Sequence, residues 1–261
     1  MSPGYLLNVP DPSEAFSTPL DVPLLGRPPA RFRDCEILTI QYRSDPDAIR
    51  TLVPRPLTPT GDTVMVQFGR WGDVPGMGST FECNVMVAVR LESQDGPILG
   101  AYSPYFFVDN DRALAGGREL NGQPKRLARV TLESRGDLHV ATVKRNRIVV
   151  FTGTMAYKQK PATFDEVRAR VDPVTNINLK VVPNIDSTIA IRQLTARKLE
   201  DVDVRECWTG PCTAEIRPNP QAPFYRLPVR QHLEGYYWRA EFSVVGGTII
   251  HEYPDGIAGL P

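Results

Sequence analysis

The chain has 261 residues, 41% hydrophobic and 8% aromatic, so it is long enough to bury most of its apolar surface in one large domain or two small ones. Its 30 Lys and Arg offset 30 Asp and Glu, giving a formal charge of zero and a pI near 6.8. That balance excludes the one-sided field that nucleic acid or an anionic membrane would attract, and it suits a small neutral or anionic ligand.

In chain order, residues 1–30 are rich in proline, show no period and are expected to form an extended arm ahead of a single domain, residues 31–261. Runs of Val, Ile, Thr and aromatics predict strands at Glu36–Tyr42, Thr63–Phe68, Phe81–Leu91 and Gly100–Val108, joined in one antiparallel sheet. A short helix is expected to start at Ser44 or Asp45, with Pro46 in its first turn, and to stop by Pro54. A second should run from Asn110 toward Leu120, weakened by Gly116 and Gly117. Strands resume at Arg129–Leu132, Leu138–Val143, Ile148–Tyr157, Leu179–Val182 and Ile189–Leu194, with a helical turn or two at Phe164–Val171. The last run, Tyr236–Tyr253, carries Gly246 and Gly247, which predict a bend inside a long hairpin or strand. The elements amount to an α+β domain dominated by antiparallel sheet.

Cys35, Cys83, Cys207 and Cys212 show no C-x-x-C spacing, which favours reduced thiols in a cytosolic setting, although Cys207 and Cys212 could in principle bridge. His139, His232 and His251 are too scattered for a zinc motif, so no metal and no cofactor are expected. Without a signal-peptide pattern or an apolar run near the roughly 20 residues of a membrane span, a soluble cytoplasmic protein is expected.

Pro124-Lys125-Arg126 sets a lysine against a second fixed cation. A free lysine is almost wholly protonated at neutral pH, but burial or a like charge disfavours the ammonium and frees the amine as a nucleophile. Gly117-Arg118-Glu119-Leu120 followed by Pro124-Lys125 resembles the active-site segment of the acetoacetate decarboxylase family. So do Gln41-Tyr42-Arg43-Ser44-Asp45, Met155-Ala156-Tyr157-Lys158, Asn178-Leu179-Lys180-Val181-Val182-Pro183-Asn184, Trp208-Thr209-Gly210-Pro211 and Leu227-Pro228-Val229. The resemblance implies a closed, barrel-like sheet with the ligand cavity inside, a homo-oligomer, and a lysine that forms a Schiff base with a keto acid.

Residue by residue, the resemblance gives Lys125 as nucleophile, Arg126 as the neighbouring cation in place of a second lysine, and Glu82 as a proton-transfer or orienting carboxylate. Arg118 and Glu119 match as an ion pair supporting the lysine loop on the substrate-binding side, and Tyr253 matches a tyrosine near the C-terminus. Tyr105, Tyr236 and Tyr237 are further phenols that could reach a cavity. The family's carboxylate-binding arginine falls at Cys35, and Arg33, two residues earlier on the same face of a regular strand, is its candidate replacement. Three readings follow. One is a Schiff-base decarboxylase of a β-keto acid; a second is an aldolase-dehydratase using pyruvate-like or aldehyde substrates; a third is a non-catalytic small-molecule binder on the same scaffold.

Overall fold

In a computed structural model that describes residues 11–20, 22–171 and 175–254, the β-branched and aromatic runs become a sheet of 14 strands. The first four, β1 (Ala30–Arg43), β2 (Thr58–Val74), β3 (Gly78–Leu91) and β4 (Ile98–Val108), pair antiparallel in sequence order, as expected. A three-residue strand, β5 (Lys125–Leu127), adds parallel to β4. Three more, β6 (Arg129–Arg135), β7 (Leu138–Arg145) and β8 (Ile148–Ala156), form a meander; β9 (Lys160–Pro161) is a short edge piece. The remainder are β10 (Asn176–Pro183), β11 (Ile189–Arg197), β12 (Leu199–Ile216), β13 (Gln231–Val244) and β14 (Thr248–Glu252).

The hydrogen-bonded path runs β14-β11-β10-β4-β3-β2-β1-β13-β12-β8-β7-β6, with two free ends. The sheet is therefore not closed, and the closed, barrel-like expectation is corrected. The reason lies in β12, whose first part, Leu199–Pro211, pairs with β13 while Cys212–Ile216 pairs with β8. A strand that changes partner along its length turns a corner, so β6 to β8 fold over one face of β1 to β4 instead of closing a ring. Between the two layers lies the main core: Leu38, Ile40, Val66, Phe68, Val85, Val87 and Phe107 meet Val130, Leu132, Val143, Val150, Phe151 and Met155. Phe68 and Phe151 touch with ring centroids 5.7 Å apart. Burying such side chains is worth about 1.5–3 kcal/mol each, which makes this layer the main source of stability.

Three α-helices, one π-helical turn and two short 3-10 turns, Pro12–Glu14 and Phe224–Arg226, complete the described chain. Asp45 caps α1 (Pro46–Leu52) by accepting from the Asp47 amide, so the start expected at Ser44 or Asp45 is realised with proline in the first turn. Asn110 caps α2 (Asp111–Ala115), which passes at the glycine pair into a π-helical turn, Gly116–Leu120. The third, α3, spans Phe164–Val171.

Two expectations need correcting. Gly246 and Gly247 do break the last run, but β13 pairs with β1 and β12 while β14 pairs with β11, so the two are not a hairpin. The 18-residue β12 was not anticipated, because Glu200, Asp201, Asp203, Arg205 and Glu206 give its first half a loop-like polarity. These charges alternate with Val202 and Val204, which pack on the second core cluster around Cys35, Ile37, Tyr236 and Trp238.

Candidate active site

Side chains on a strand alternate between faces, and β3 uses that alternation to separate core from chemistry. Cys83, Val85 and Val87 enter the main core. Glu82, Asn84 and Met86 point the other way, into a cavity of about 1050 Å³. Gln67 of β2 and Phe106 of β4 lie opposite Asn84, and Lys125 of β5 lies opposite Phe106, so four adjacent positions form one continuous floor. Ile37, Trp71, Trp238 and Phe242 wall the cavity, and Leu25 to Pro29 of the N-terminal segment line it as well. Phe32, Trp71 and Phe242 lock that wall together, with ring centroids 5.5 to 6.0 Å apart.

Two glycines deliver Lys125 to this floor. Gly122 sits at φ 73°, in the left-handed region, and a Cβ there would also lie 2.4 Å from Cβ of Lys180. Gly117, in the π-helical turn, lies directly beneath the lysine stem: a Cβ on it would fall 2.2 Å from Cδ of Lys125 and 2.6 Å from its Cε. The lysine therefore threads a channel that only a glycine leaves open.

At the end of that channel Lys125 is 6% exposed, with Nζ 2.5 Å from Oε1 of Glu82 and 4.7 Å from the Phe106 ring centroid. Burial pulls its pKa below the ordinary lysine value and outweighs the opposing attraction of Glu82; the Arg197 guanidinium lowers it further. The bond to Glu82 gives the ammonium proton an acceptor inside the cavity. Lys125 and Glu82, both expected from sequence, are thus brought together.

The other expected residues are not. Arg126 follows Lys125 on an extended strand, so it points to the opposite face and donates to the backbone oxygen and Oε1 of Gln221 on the surface. Arg33 is exposed and pairs with Asp73 at 3.6 Å. The same-face argument for Arg33 fails because Asp34 adopts φ 47° in a bulge, where Phe32 pairs with Phe242 but Cys35 pairs with Ala240. Cys35 itself is fully buried in the second core cluster, where burial pushes its thiol up to about 12. Tyr253 donates to the Arg55 carbonyl, Tyr237 to Glu36 at 3.2 Å and Tyr236 to Glu234 at 3.2 Å. No tyrosine lines the cavity among the described residues.

Arg118 and Glu119 are both exposed and make no ion pair with each other; Arg118 instead donates to the Lys125 carbonyl at 3.4 Å. That contact holds the lysine backbone without the expected Arg118–Glu119 ion pair. All four cysteines are free, so Cys207 and Cys212 do not bridge. Among the described residues no group of three or more His, Cys, Asp and Glu could hold a metal ion.

What sequence reasoning missed are the polar groups around the amine. Gln123 and Asn176 line the cavity and are joined at 3.4 Å, Asn84 presents a buried Oδ1 without a hydrogen-bond partner, and Arg197 enters from the end of β11. Gln123 lies two residues before Lys125, which was the one available signal.

The profile of the Acetoacetate decarboxylase (ADC) family matches residues 17–254, which contain the whole of this floor. The chain belongs to the acetoacetate decarboxylase family. An acetoacetate decarboxylase of Burkholderia cenocepacia (strain HI2424) is 36% identical over 241 residues, covering 92% of this chain and 96% of its own length. A solved acetoacetate decarboxylase superposes with a TM-score of 0.87 at 32% identity, covering 92% of this chain and 97% of that one. The acetoacetate decarboxylase of Legionella pneumophila superposes with a TM-score of 0.83 at 29% identity, covering 91% and 94%. Within this family frame the outward turn of Arg126 carries a direct consequence. Arg126→Ala should change decarboxylation kinetics by no more than about twofold, the usual scale of a surface substitution; steady-state assay of the variant checks it.

Proposed function

We propose that this protein decarboxylates a β-keto acid of the acetoacetate type through a Schiff base on Lys125. The observation that carries the reading is the buried amine, 2.5 Å from the Glu82 carboxylate, at the floor of a cavity of about 1050 Å³. Glu82 takes the proton from the Lys125 ammonium, and the neutral amine adds to the keto carbon. The carbinolamine oxygen is protonated and leaves as water, giving an iminium. The bond to the carboxylate carbon then breaks, carbon dioxide leaves, and its electron pair neutralises the iminium as an enamine. Protonation at carbon and hydrolysis free the ketone and restore Lys125. The protein supplies a buried nucleophile and a buried proton acceptor.

The aldolase-dehydratase alternative draws less support from the site. A tyrosine acid would suit an aldol or dehydration step on the iminium, and the described cavity lining holds no tyrosine. The same proposal takes the protein as a cytoplasmic homo-oligomer with an arm of residues 1–30 and a domain of residues 31–261. Its four free buried thiols support the reducing compartment.

Incubation with acetoacetate followed by borohydride and peptide mapping should place a reduced adduct on Lys125, with carbon dioxide released in the unquenched reaction. An adduct without gas would select the aldolase-dehydratase reading; no adduct with any ketone would select a binding protein. Glu82→Gln keeps the shape and removes the proton acceptor. It should lower kcat about 10² to 10⁴-fold, the range for loss of a positioned acid or base; a wild-type rate would remove Glu82 from the mechanism.

A further inference from the structure

Arg197 closes β11 and lies in register with Asn176 of β10. Asn176 accepts from Gln123 at 3.4 Å, Gln123 directly precedes the Pro124-Lys125 pair, and all four of Arg197, Asn176, Gln123 and Lys125 line the same cavity. The Arg197 Nε is sealed from solvent and has no hydrogen-bond partner. No carboxylate lies within ion-pair distance of its guanidinium among the described residues, although Glu82 and Lys125 both act on it through space.

Two other arginines that line the cavity are engaged with protein groups, while Lys198, which also lines it, is exposed. Arg31 donates to the Asp201 carbonyl at 2.9 Å and pairs with Glu241 at 3.7 Å, while Arg112 donates to the Gly76 carbonyl. Arg197 as a whole is partly buried, and a cation drawn out of water without a partner is costly, so a fold retains one where something else supplies the counter-charge. Glu82 is committed to Lys125. Once the Lys125 proton has moved to Glu82, that pair is neutral and the Arg197 charge stands unbalanced in the cavity.

We propose that Arg197 binds the carboxylate of the substrate, filling from β11 the role that neither Cys35 nor Arg33 of β1 can fill. This rests on the β-keto acid reading for its substrate, and on the geometry of β11 alone for the anion site. A guanidinium offers a planar fork of donors that matches a carboxylate, so the substrate would be held at two ends, by Arg197 and by the imine to Lys125. The contact is strongest before the reaction, because the carboxylate loses its charge as it becomes carbon dioxide. Arg197 therefore acts on binding more than on the chemical step.

The test compares wild type, Arg197→Gln and Arg197→Lys in steady-state decarboxylation of acetoacetate, borohydride trapping with neutral acetone, and calorimetric binding of butyrate, a carboxylate without a keto group. Arg197→Gln should raise KM about 10- to 100-fold, the effect of losing a charged hydrogen bond, with kcat kept within about threefold. Acetone trapping on Lys125, measured on the pH plateau because Arg197 also lowers the Lys125 pKa, should stay within about threefold, butyrate binding should weaken in parallel with KM, and Arg197→Lys should recover part of both. A wild-type KM and butyrate affinity in Arg197→Gln would overturn the proposal, as would equal losses in kcat and in acetone trapping, the mark of a merely structural residue. If wild type forms no adduct with either ketone while butyrate binding still depends on Arg197, the anion site stands and the Schiff-base chemistry falls.

Discussion

Lys125→Met is expected to reduce decarboxylation by a factor on the order of 10⁶, the scale on which removal of a catalytic nucleophile acts, and to abolish the borohydride adduct. Methionine has about the length of the lysine stem and fits a channel already lined by Phe106 and Met86, so the cavity should survive. It leaves Glu82 buried without its cation, however, and an unpaired buried carboxylate destabilises the fold. Adding Glu82→Gln to Lys125→Met should therefore raise the Tm of the single variant while leaving activity at background. A thermal scan of the pair against wild type separates loss of chemistry from loss of structure. Residual turnover in Lys125→Met above background would place the nucleophile elsewhere.

Gly117→Ala should also lower the rate, acting from outside the reacting groups. The new methyl would lie 2.2 Å from Cδ of Lys125, well inside van der Waals contact, and one of the two must move. Either the amine is displaced from Glu82 or the π-helical turn shifts with its lysine loop. Misplacement of a reacting group by about 1 Å costs on the order of 10²-fold in rate, so a loss of at least that size in kcat is expected. Gly116→Ala is the control, since a Cβ there comes no nearer than 3.4 Å, to Leu25 Cδ2. Steady-state rates of the two variants, with Tm as a check on folding, should differ by the full factor. Equal behaviour would show that the lysine does not depend on this passage.

The sequence made the amine and its carboxylate legible because both sit in local patterns: Gly117 to Lys125 is one loop, and Glu82 is a lone charge between Phe81 and Cys83 on an apolar strand. Alternation along that strand was enough to put Glu82 on the opposite face from the core. The same rule, applied to Arg33 and Cys35, failed at the Asp34 bulge, where one extra residue resets the faces without a glycine to announce it. Arg126 was misplaced for a simpler reason. Adjacent residues on an extended strand point to opposite sides, so a cation next to Lys125 in sequence is the one least able to share its cavity.

Arg197 was invisible because an arginine followed by a lysine at a strand end reads as a solvated edge. Only the pairing of β11 with β10, and of β10 with β4, carries it beside Asn176 and the lysine floor. The strand content was readable from β-branched runs, but the open path was not, since the corner in β12 depends on one strand serving β13 and β8 in turn. Long-range pairing of that kind leaves no mark in local composition.

The central claim is that burial holds Lys125 below the ordinary lysine pKa so that its amine is available at working pH. Because the folded chain then binds fewer protons than the unfolded one between that lowered value and about 10.4, the Lys125 contribution to stability rises with pH across this window. The most direct test is the rate of borohydride-trapped imine formation between wild type and acetone as a function of pH, with the adduct quantified on the Lys125 peptide. The rate should climb to a plateau with a midpoint below the roughly 10.4 of a free lysine. A midpoint at the value of a free lysine side chain would contradict it.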